Sequence, residues 1–253
     1  MKIKIVKCLT DNYSYIIYDE KSLVSAVVDP SEADPVINEI EKNNLKLKYI
    51  LNTHHHYDHV GGNKKLKEKY KSIVVGFEQD KKRIPEIDIT LKDNQKWKND
   101  LFECEIFHIP GHTSGHICIY IEKIKALFTG DTLFSLGCGR IFEGTYDQMY
   151  KSLSKLKKFP LDTKIYCGHE YTKKNSDFCI SIDSQNSKLI NKITEIKKNI
   201  EIGNPTIPSI LKDELECNIF LRSDDLGIQK QLRLNTDDPI KTFAKLRDLK
   251  DIF

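Results

Sequence analysis

No stretch of this chain approaches the ~20 apolar residues that a membrane-spanning helix needs, and Met1–Val6 lacks the apolar core of a signal peptide. A cytoplasmic protein with no membrane partner is the expectation. The seven cysteines, Cys8, Cys104, Cys118, Cys138, Cys167, Cys179 and Cys217, form an odd set without a CxxC spacing, which argues against a disulfide framework or a thiolate zinc site and for free thiols in a reducing compartment. A basic arm is also missing: 40 basic and 37 acidic residues are spread along the chain for a formal net charge of +3, so no nucleic-acid partner is expected. No internal repeat or low-complexity tract is present. With 253 residues, 39% hydrophobic and 30% charged, the chain can bury one main core and a smaller appendage. A monomer or weak dimer is expected.

Up to about residue 130, short β-branched or apolar runs alternate with turn chemistry, as in Tyr13 to Tyr18, Val24 to Val28, Tyr49 to Leu51, Ile73 to Val75, Cys104 to Ile109, Ile117 to Ile121 and Ala126 to Thr129. These read as buried strands, with Lys164 to Cys167 a later one and helical stretches such as Lys64 to Tyr70 between some of them. From about 145 the period becomes helical: Tyr146, Met149, Tyr150, Leu153 and Leu156 follow a Thr145/Gln148 capping box. Leu189, Ile190, Ile193, Ile196 and Ile200 make a second stripe, and Asp238-Pro239 supplies a cap and an N1 proline for a third helix. A strand-rich α/β part followed by a helical appendage is predicted.

All eight histidines lie between positions 54 and 169. In Thr53-His54-His55-His56-Tyr57-Asp58-His59, residues two apart project from one side of an extended chain, so His54 and His56 can grip one ion while His55 faces away. Asp58 and His59 are adjacent and both point inward only if the chain turns; Gly61-Gly62 is read as the source of that freedom, and the pair as ligands of a neighbouring ion. Further on, His112, Asp131 and His169 each follow an apolar run that ends through a glycine, where α/β sheets place reactive groups. Two ions about 3.5–4 Å apart, each with three or so protein ligands, suit this set if one carboxylate bridges, and Asp131 is the choice. A lone HHH tract is as often a solvated turn as a site, but HxHxDH with two Gly-His signals and a Thr-Gly-Asp is not. His108 and His116 read as packing or supporting histidines.

These residues resemble the metallo-β-lactamase superfamily, whose signature is a THxHxDH loop with downstream His, Asp and His ligands. Thr53 to Asn63, Gly111 to His116, Thr129 to Phe134, Gly137 to Arg140, Tyr166 to Thr172, Asn204 to Ser209 and Arg247 to Asp251 are further similar, in sequence and order, to the glyoxalase II (hydroxyacylglutathione hydrolase) branch. The resemblance implies an α/β fold, a four-layer αββα sandwich over residues 1–171, with an α-helical glutathione-binding domain over 172–253. It implies His54, His56 and His112 on a first ion, Asp58, His59 and His169 on a second, and Asp131 joining them, with Asp58 and Asp131 as the catalytic carboxylates. Zn2+ is expected, Fe or Mn being acceptable to the same donors. Arg247 and Lys250, three apart, would share a helix face suited to a carboxylate, Tyr171 would donate its hydroxyl to the tripeptide, and Arg140 and Phe142 would lie along it. Relatives commonly carry lysine and tyrosine at the last two positions; Arg140 keeps the charge, and Phe142 has no hydroxyl to give.

The implied activity is hydrolysis of S-D-lactoylglutathione and other S-2-hydroxyacylglutathiones by a metal-bridging hydroxide, the second step of glyoxalase detoxification of methylglyoxal. A thiolate with a conjugate-acid pKa of about 8.5 leaves without much help from a general acid, which suits a site of metals and carboxylates. A glutathione persulfide dioxygenase of the same fold is the alternative, but it should lack the long helical tail and the Cys-Gly-His-Glu-Tyr-Thr context. A phosphodiesterase would want a basic substrate arm that the chain does not have. A metal sensor or scaffold is the non-enzymatic reading.

Overall fold

The computed structural model describes residues 1–234 and 238–253, which divide into two compact units. The first comprises Met1–His108 with Gly115–Gly130. Its elements are β1 (Lys2–Cys8), β2 (Asn12–Tyr18), β3 (Val24–Val28), α1 (Ala33–Lys42), β4 (Lys46–Leu51), α2 (Tyr57–Val60), α3 (Asn63–Tyr70), β5 (Ile73–Phe77), β6 (Ile89–Leu91), β7 (Lys96–Lys98), β8 (Glu103–His108), β9 (Ile117–Ile121) and β10 (Ala126–Gly130). Strands β1 to β6 form one sheet in sequence order, antiparallel from β1 to β3 and parallel from β3 to β6. The parallel strands are apolar nearly throughout because both faces are covered, which is why the runs at Val24 and Ile73 show no alternation. Strands β7 to β10 follow as an antiparallel meander. Helix α1 buries Ala33, Val36, Ile37 and Ile40 at helical spacing against Val27, Ile50 and Val74 of the sheet.

Parallel strands β3 and β4 end side by side, with the Asp29 N–H donating to the Leu51 carbonyl at 2.9 Å. Chain leaving their carboxyl ends therefore brings Asp29 and Thr53-His54 to one place. The turn expected at Asp58 and His59 is the short helix α2, and its cause differs from the expectation. Gly61 and Gly62 have φ of −58° and −82°, ordinary helical values, so they supply no special flexibility. They are needed for close approach: a Cβ at Gly61 would lie 2.5 Å from the Ser31 carbonyl oxygen, and one at Gly62 2.8 Å from that of Pro30. Gly130, at the end of β10, does need its conformation, since φ is +46° and a Cβ would meet Thr53 Oγ1 at 2.4 Å.

The second unit comprises Ile109–Ser114 with Asp131–Phe253. It contains β11 (Leu133–Phe134), β12 (Gly137–Cys138), α4 (Tyr146–Leu156), β13 (Lys164–Cys167), α5 (Thr172–Ile182), α6 (Ser187–Glu201), β14 (Ser209–Ile210), α7 (Leu211–Cys217), α8 (Leu226–Gln231) and α9 (Pro239–Asp251). The Thr145/Gln148 capping box forms, and the Asp238 side chain accepts from the Ile240 N–H ahead of α9. The predicted stripe on α6 is narrower than its sequence suggests: Leu189 and Ile196 are buried, whereas Ile190 and Ile200 are 46% and 41% exposed. Phe178 of α5, Phe220 in the turn after α7 and Phe243 of α9 share a core, with ring centroids 6.0 Å apart for Phe178–Phe220 and 6.1 Å for Phe220–Phe243. Among the described residues no helix is long and apolar enough to cross a membrane.

Candidate metal centre

In the first unit the metal-type side chains stand on a chain of buried hydrogen bonds that starts at Asp29. Its Oδ1 accepts from the Thr53 N–H at 2.8 Å, and its Oδ2 accepts from Thr53 Oγ1 at 2.6 Å and lies 3.0 Å from His59 Nδ1. Because the Thr53 hydroxyl spends its proton on Asp29, Thr53 Oγ1 must accept from His54 Nδ1, 3.0 Å away. Both imidazoles thus carry their proton on Nδ1 and present a bare Nε2, the tautomer a divalent ion binds, in the carboxylate–histidine arrangement that orients metal ligands. Asp29, His54 and His59 each place one ligand-type atom within 4.8 Å of the others. His56 packs edge-on to His54 with ring centroids 4.8 Å apart, and His116 stacks on His54 at 4.6 Å, in the supporting place expected of it. Asn12 Nδ2 donates to Asp58 Oδ2 at 3.0 Å, and that oxygen is 3.7 Å from His59 Nε2. His55 faces Asp80 at 3.4 Å, and His108 stacks on Phe77.

In the second unit His112, Asp131 and His169 converge. The Arg140 carbonyl accepts from His112 Nδ1 at 2.8 Å, so here too Nε2 is left bare, and it points at Asp131 Oδ2 from 3.5 Å. His169 Nε2 approaches the same oxygen at 3.2 Å. All three side chains are buried. One carboxylate oxygen thus faces two imidazole Nε2 atoms. Imidazoles with committed Nδ1 atoms beside carboxylates, without a thiolate, are a donor set that can hold divalent metal ions.

The residues expected to meet a substrate all lie in this unit. Phe142 is 63% exposed, its ring edge-on to His112 at 5.2 Å. Tyr171 stacks flat on His169, centroids 4.7 Å apart. Arg140 reaches Asp251 at 3.4 Å. Arg247 differs from an open guanidinium fork: it is buried, with Nη1 donating to the Cys138 carbonyl at 2.7 Å, Nη2 to Asp251 at 2.9 Å, and its plane 5.2 Å from the Phe220 ring. Lys250 donates to the Lys174 carbonyl at 3.0 Å between the rings of Phe178 and Phe253, and burial, helped by the Arg247 charge, lowers its pKa. All seven cysteines are free and buried, and burial pushes the Cys104, Cys179 and Cys217 thiols up to about 12, so these are not nucleophiles at neutral pH. The sequence reading missed Asp29, which ends the apolar run Val24–Val28 directly, without the glycine that precedes His112, Asp131 and His169.

Comparison with known proteins agrees with this chemistry. The family model of the metallo-beta-lactamase superfamily matches residues 10–96 and 98–169, and that of the hydroxyacylglutathione hydrolase C-terminus matches residues 170–253. A hydroxyacylglutathione hydrolase from Pelagibacter ubique is 58% identical over 253 residues, covering 100% of both chains. One from Methylococcus capsulatus is 41% identical, covering 100% of this chain and 99% of its own. Among solved structures, the BLEG-1 B3 metallo-beta-lactamase superposes with a TM-score of 0.69 at 20% identity, covering 87% of this chain and 99% of its own, a likeness of fold. The expected metallo-β-lactamase α/β fold with a helical carboxyl-terminal region is the one found.

Proposed function

Because the chain belongs to the metallo-β-lactamase superfamily and, within it, to the hydroxyacylglutathione hydrolase family, we propose that it hydrolyses the thioester of S-D-lactoylglutathione and other S-2-hydroxyacylglutathiones, releasing glutathione and D-lactate or its analogue. This is the second step of glyoxalase detoxification of methylglyoxal. The observation that carries the reading is the placement of Asp131 Oδ2 before two histidine Nε2 atoms. Two divalent ions, zinc foremost and iron or manganese as substitutes, held by His54, His56 and His112 and by Asp58, His59 and His169 with Asp131 common to both, would supply a water of lowered pKa and a Lewis acid for the thioester carbonyl.

The chain's own residues then have distinct tasks. Asp29 keeps the His54 and His59 protons on Nδ1, and the Arg140 carbonyl does so for His112. Asn12 orients Asp58, the carboxylate that with Asp131 does the catalytic work. Arg140, Phe142, Tyr171, Arg247 and Lys250 receive the tripeptide, Arg140 and Lys250 offering charge to its carboxylates. Residues 1–171 form the catalytic part and 172–253 the glutathione-binding part. The seven free buried thiols support a reducing, cytoplasmic setting, and the protein works as a monomer or weak dimer.

The test is to purify the chain, count its metals and follow S-D-lactoylglutathione, a β-lactam and a phosphodiester side by side. Cleavage of the thioester by protein with two ions, without oxygen consumption and abolished in Asp131→Ala, is expected. Loss of only the other two substrates, or a single iron consuming oxygen with glutathione persulfide, overturns the reading.

A further inference from the structure

The ribbon that follows Asp131 turns on a conformation that leucine rarely adopts. β11 and β12 pair Leu133 with Cys138 and Phe134 with Gly137, leaving Ser135 and Leu136 as a two-residue turn, and Leu136 has φ of 56°. Glycine or asparagine normally occupies such a position, because a Cβ there crowds the backbone. Leu136 is nevertheless fully buried, so the surrounding structure must impose the strained turn.

What surrounds it is a set of side chains from the helices of residues 172–253. Glu214 on α7 accepts from the Leu136 N–H at 2.8 Å, and the same oxygen accepts from Asn218 Nδ2 at 3.0 Å. Asn218 Nδ2 also donates to the Gly137 carbonyl at 3.1 Å. The Leu136 carbonyl accepts from the Cys179 thiol at 3.1 Å, and the Ser135 carbonyl from Asn175 at 3.1 Å. Glu214 is wholly buried, where a carboxylate is costly unless it holds something in place. The ribbon it grips is short and continuous with a metal-type ligand: the Gly139 N–H donates to the Thr132 carbonyl at 3.2 Å, one residue from Asp131.

We propose that Glu214 is a positioning residue for Asp131: by holding the Leu136 N–H it fixes the strained turn, and through the ribbon it fixes the backbone from which the Asp131 carboxylate faces His112 and His169. The helical region thereby sets metal geometry as well as receiving substrate. The inference rests on the assignment of Asp131 as a metal ligand.

The experiment uses the full-length chain as wild type, Glu214→Gln, Glu214→Asp, Glu214→Ala and Glu214→Ala/Leu136→Gly. Zinc affinity is read by competition with a chromophoric chelator, with kcat, KM and the unfolding temperature of the zinc-free forms alongside. Glu214→Gln keeps an oxygen for the Leu136 N–H and should bind zinc like wild type. Glu214→Asp, one methylene short, and Glu214→Ala should bind it ~10–100-fold more weakly, with kcat lowered and KM little changed. Leu136→Gly should restore much of that loss, since glycine adopts the turn unaided. If Glu214→Ala does not fold, the Asp variant decides alone. Variants that lower only the unfolding temperature while zinc affinity and kcat stay at wild-type values, or a loss that glycine at 136 does not relieve, overturn the proposal. Zinc affinity is measured without substrate, so a wild type that binds zinc but leaves the thioester intact defeats the proposed function and not this inference.

Discussion

Asp29→Asn separates the carboxylate at the base of the first unit's histidines from everything else at that position. The backbone is not the issue, because Asp29 has φ of 48° and asparagine tolerates the left-handed region as well as aspartate does. Size is unchanged too. What changes is that three donors, the Thr53 N–H, the Thr53 hydroxyl and His59 Nδ1–H, face two acceptor oxygens in the wild type and one in the variant. If the asparagine oxygen stays on the Thr53 N–H, its NH2 confronts both other donors. The Thr53 hydroxyl can escape by turning its proton toward His54 Nδ1, which then must carry its own proton on Nε2. His59 can escape only by the same tautomer change. In either case a proton sits on the nitrogen that the ion needs, or a buried donor goes unsatisfied at about 1–3 kcal/mol. Loss of such a supporting partner typically weakens metal binding ~10–100-fold, or about 1.4–2.7 kcal/mol. Chelator competition with zinc, read together with thioester turnover and urea unfolding of the zinc-free chain, checks this. Zinc affinity and turnover equal to wild type would refute the claim that Asp29 sets the tautomers of His54 and His59.

Three other outcomes are expected. Arg247→Ala should raise KM for the glutathione thioester with kcat little changed, and should also destabilise by about 1–3 kcal/mol, because the buried Cys138 carbonyl loses its donor; steady-state kinetics and urea unfolding read the two effects. Phe142→Tyr adds a hydroxyl at an exposed ring without disturbing packing, so KM should fall about two- to tenfold if the tripeptide passes there, and an unchanged KM removes Phe142 from the substrate path. Burial raises the Glu214 carboxyl above its ordinary 4.5 against the lowering pull of the Leu136 N–H. The folded state therefore holds that proton more tightly, so its contribution to stability is full below about 4.5 and is lost as pH rises through the folded pKa. Glu214→Gln should unfold in urea with a weaker decline of stability from acid to neutral pH, and a pH dependence identical to wild type would contradict the sign.

The candidate metal-type residues were legible in the primary structure because metal chemistry favours imidazole and carboxylate at tight spacings: His54, His56, Asp58 and His59 sit within six residues, and His112, Asp131 and His169 each follow an apolar run that ends through a glycine. Helix ends were legible for a similar reason, since the Thr145 capping box and the Asp238 cap are local bonds between neighbours in the chain. What tertiary structure alone decided is everything that depends on partners far apart in sequence. Asp29 meets His59 across thirty residues, and Glu214 meets Leu136 across seventy-eight, and no local pattern says which partner either will find. The spacing of Arg247 and Lys250 suggests one helix face suited to a carboxylate, whereas the fold closes the carbonyl of Cys138 and the ring of Phe220 around Arg247. Gly61 and Gly62 looked like hinges and are instead places where two backbones touch. Residue type and spacing say which atoms can bind a metal; which nitrogen keeps its proton, and which strained turn is held, are settled by long-range packing that brings a single acceptor to a single donor.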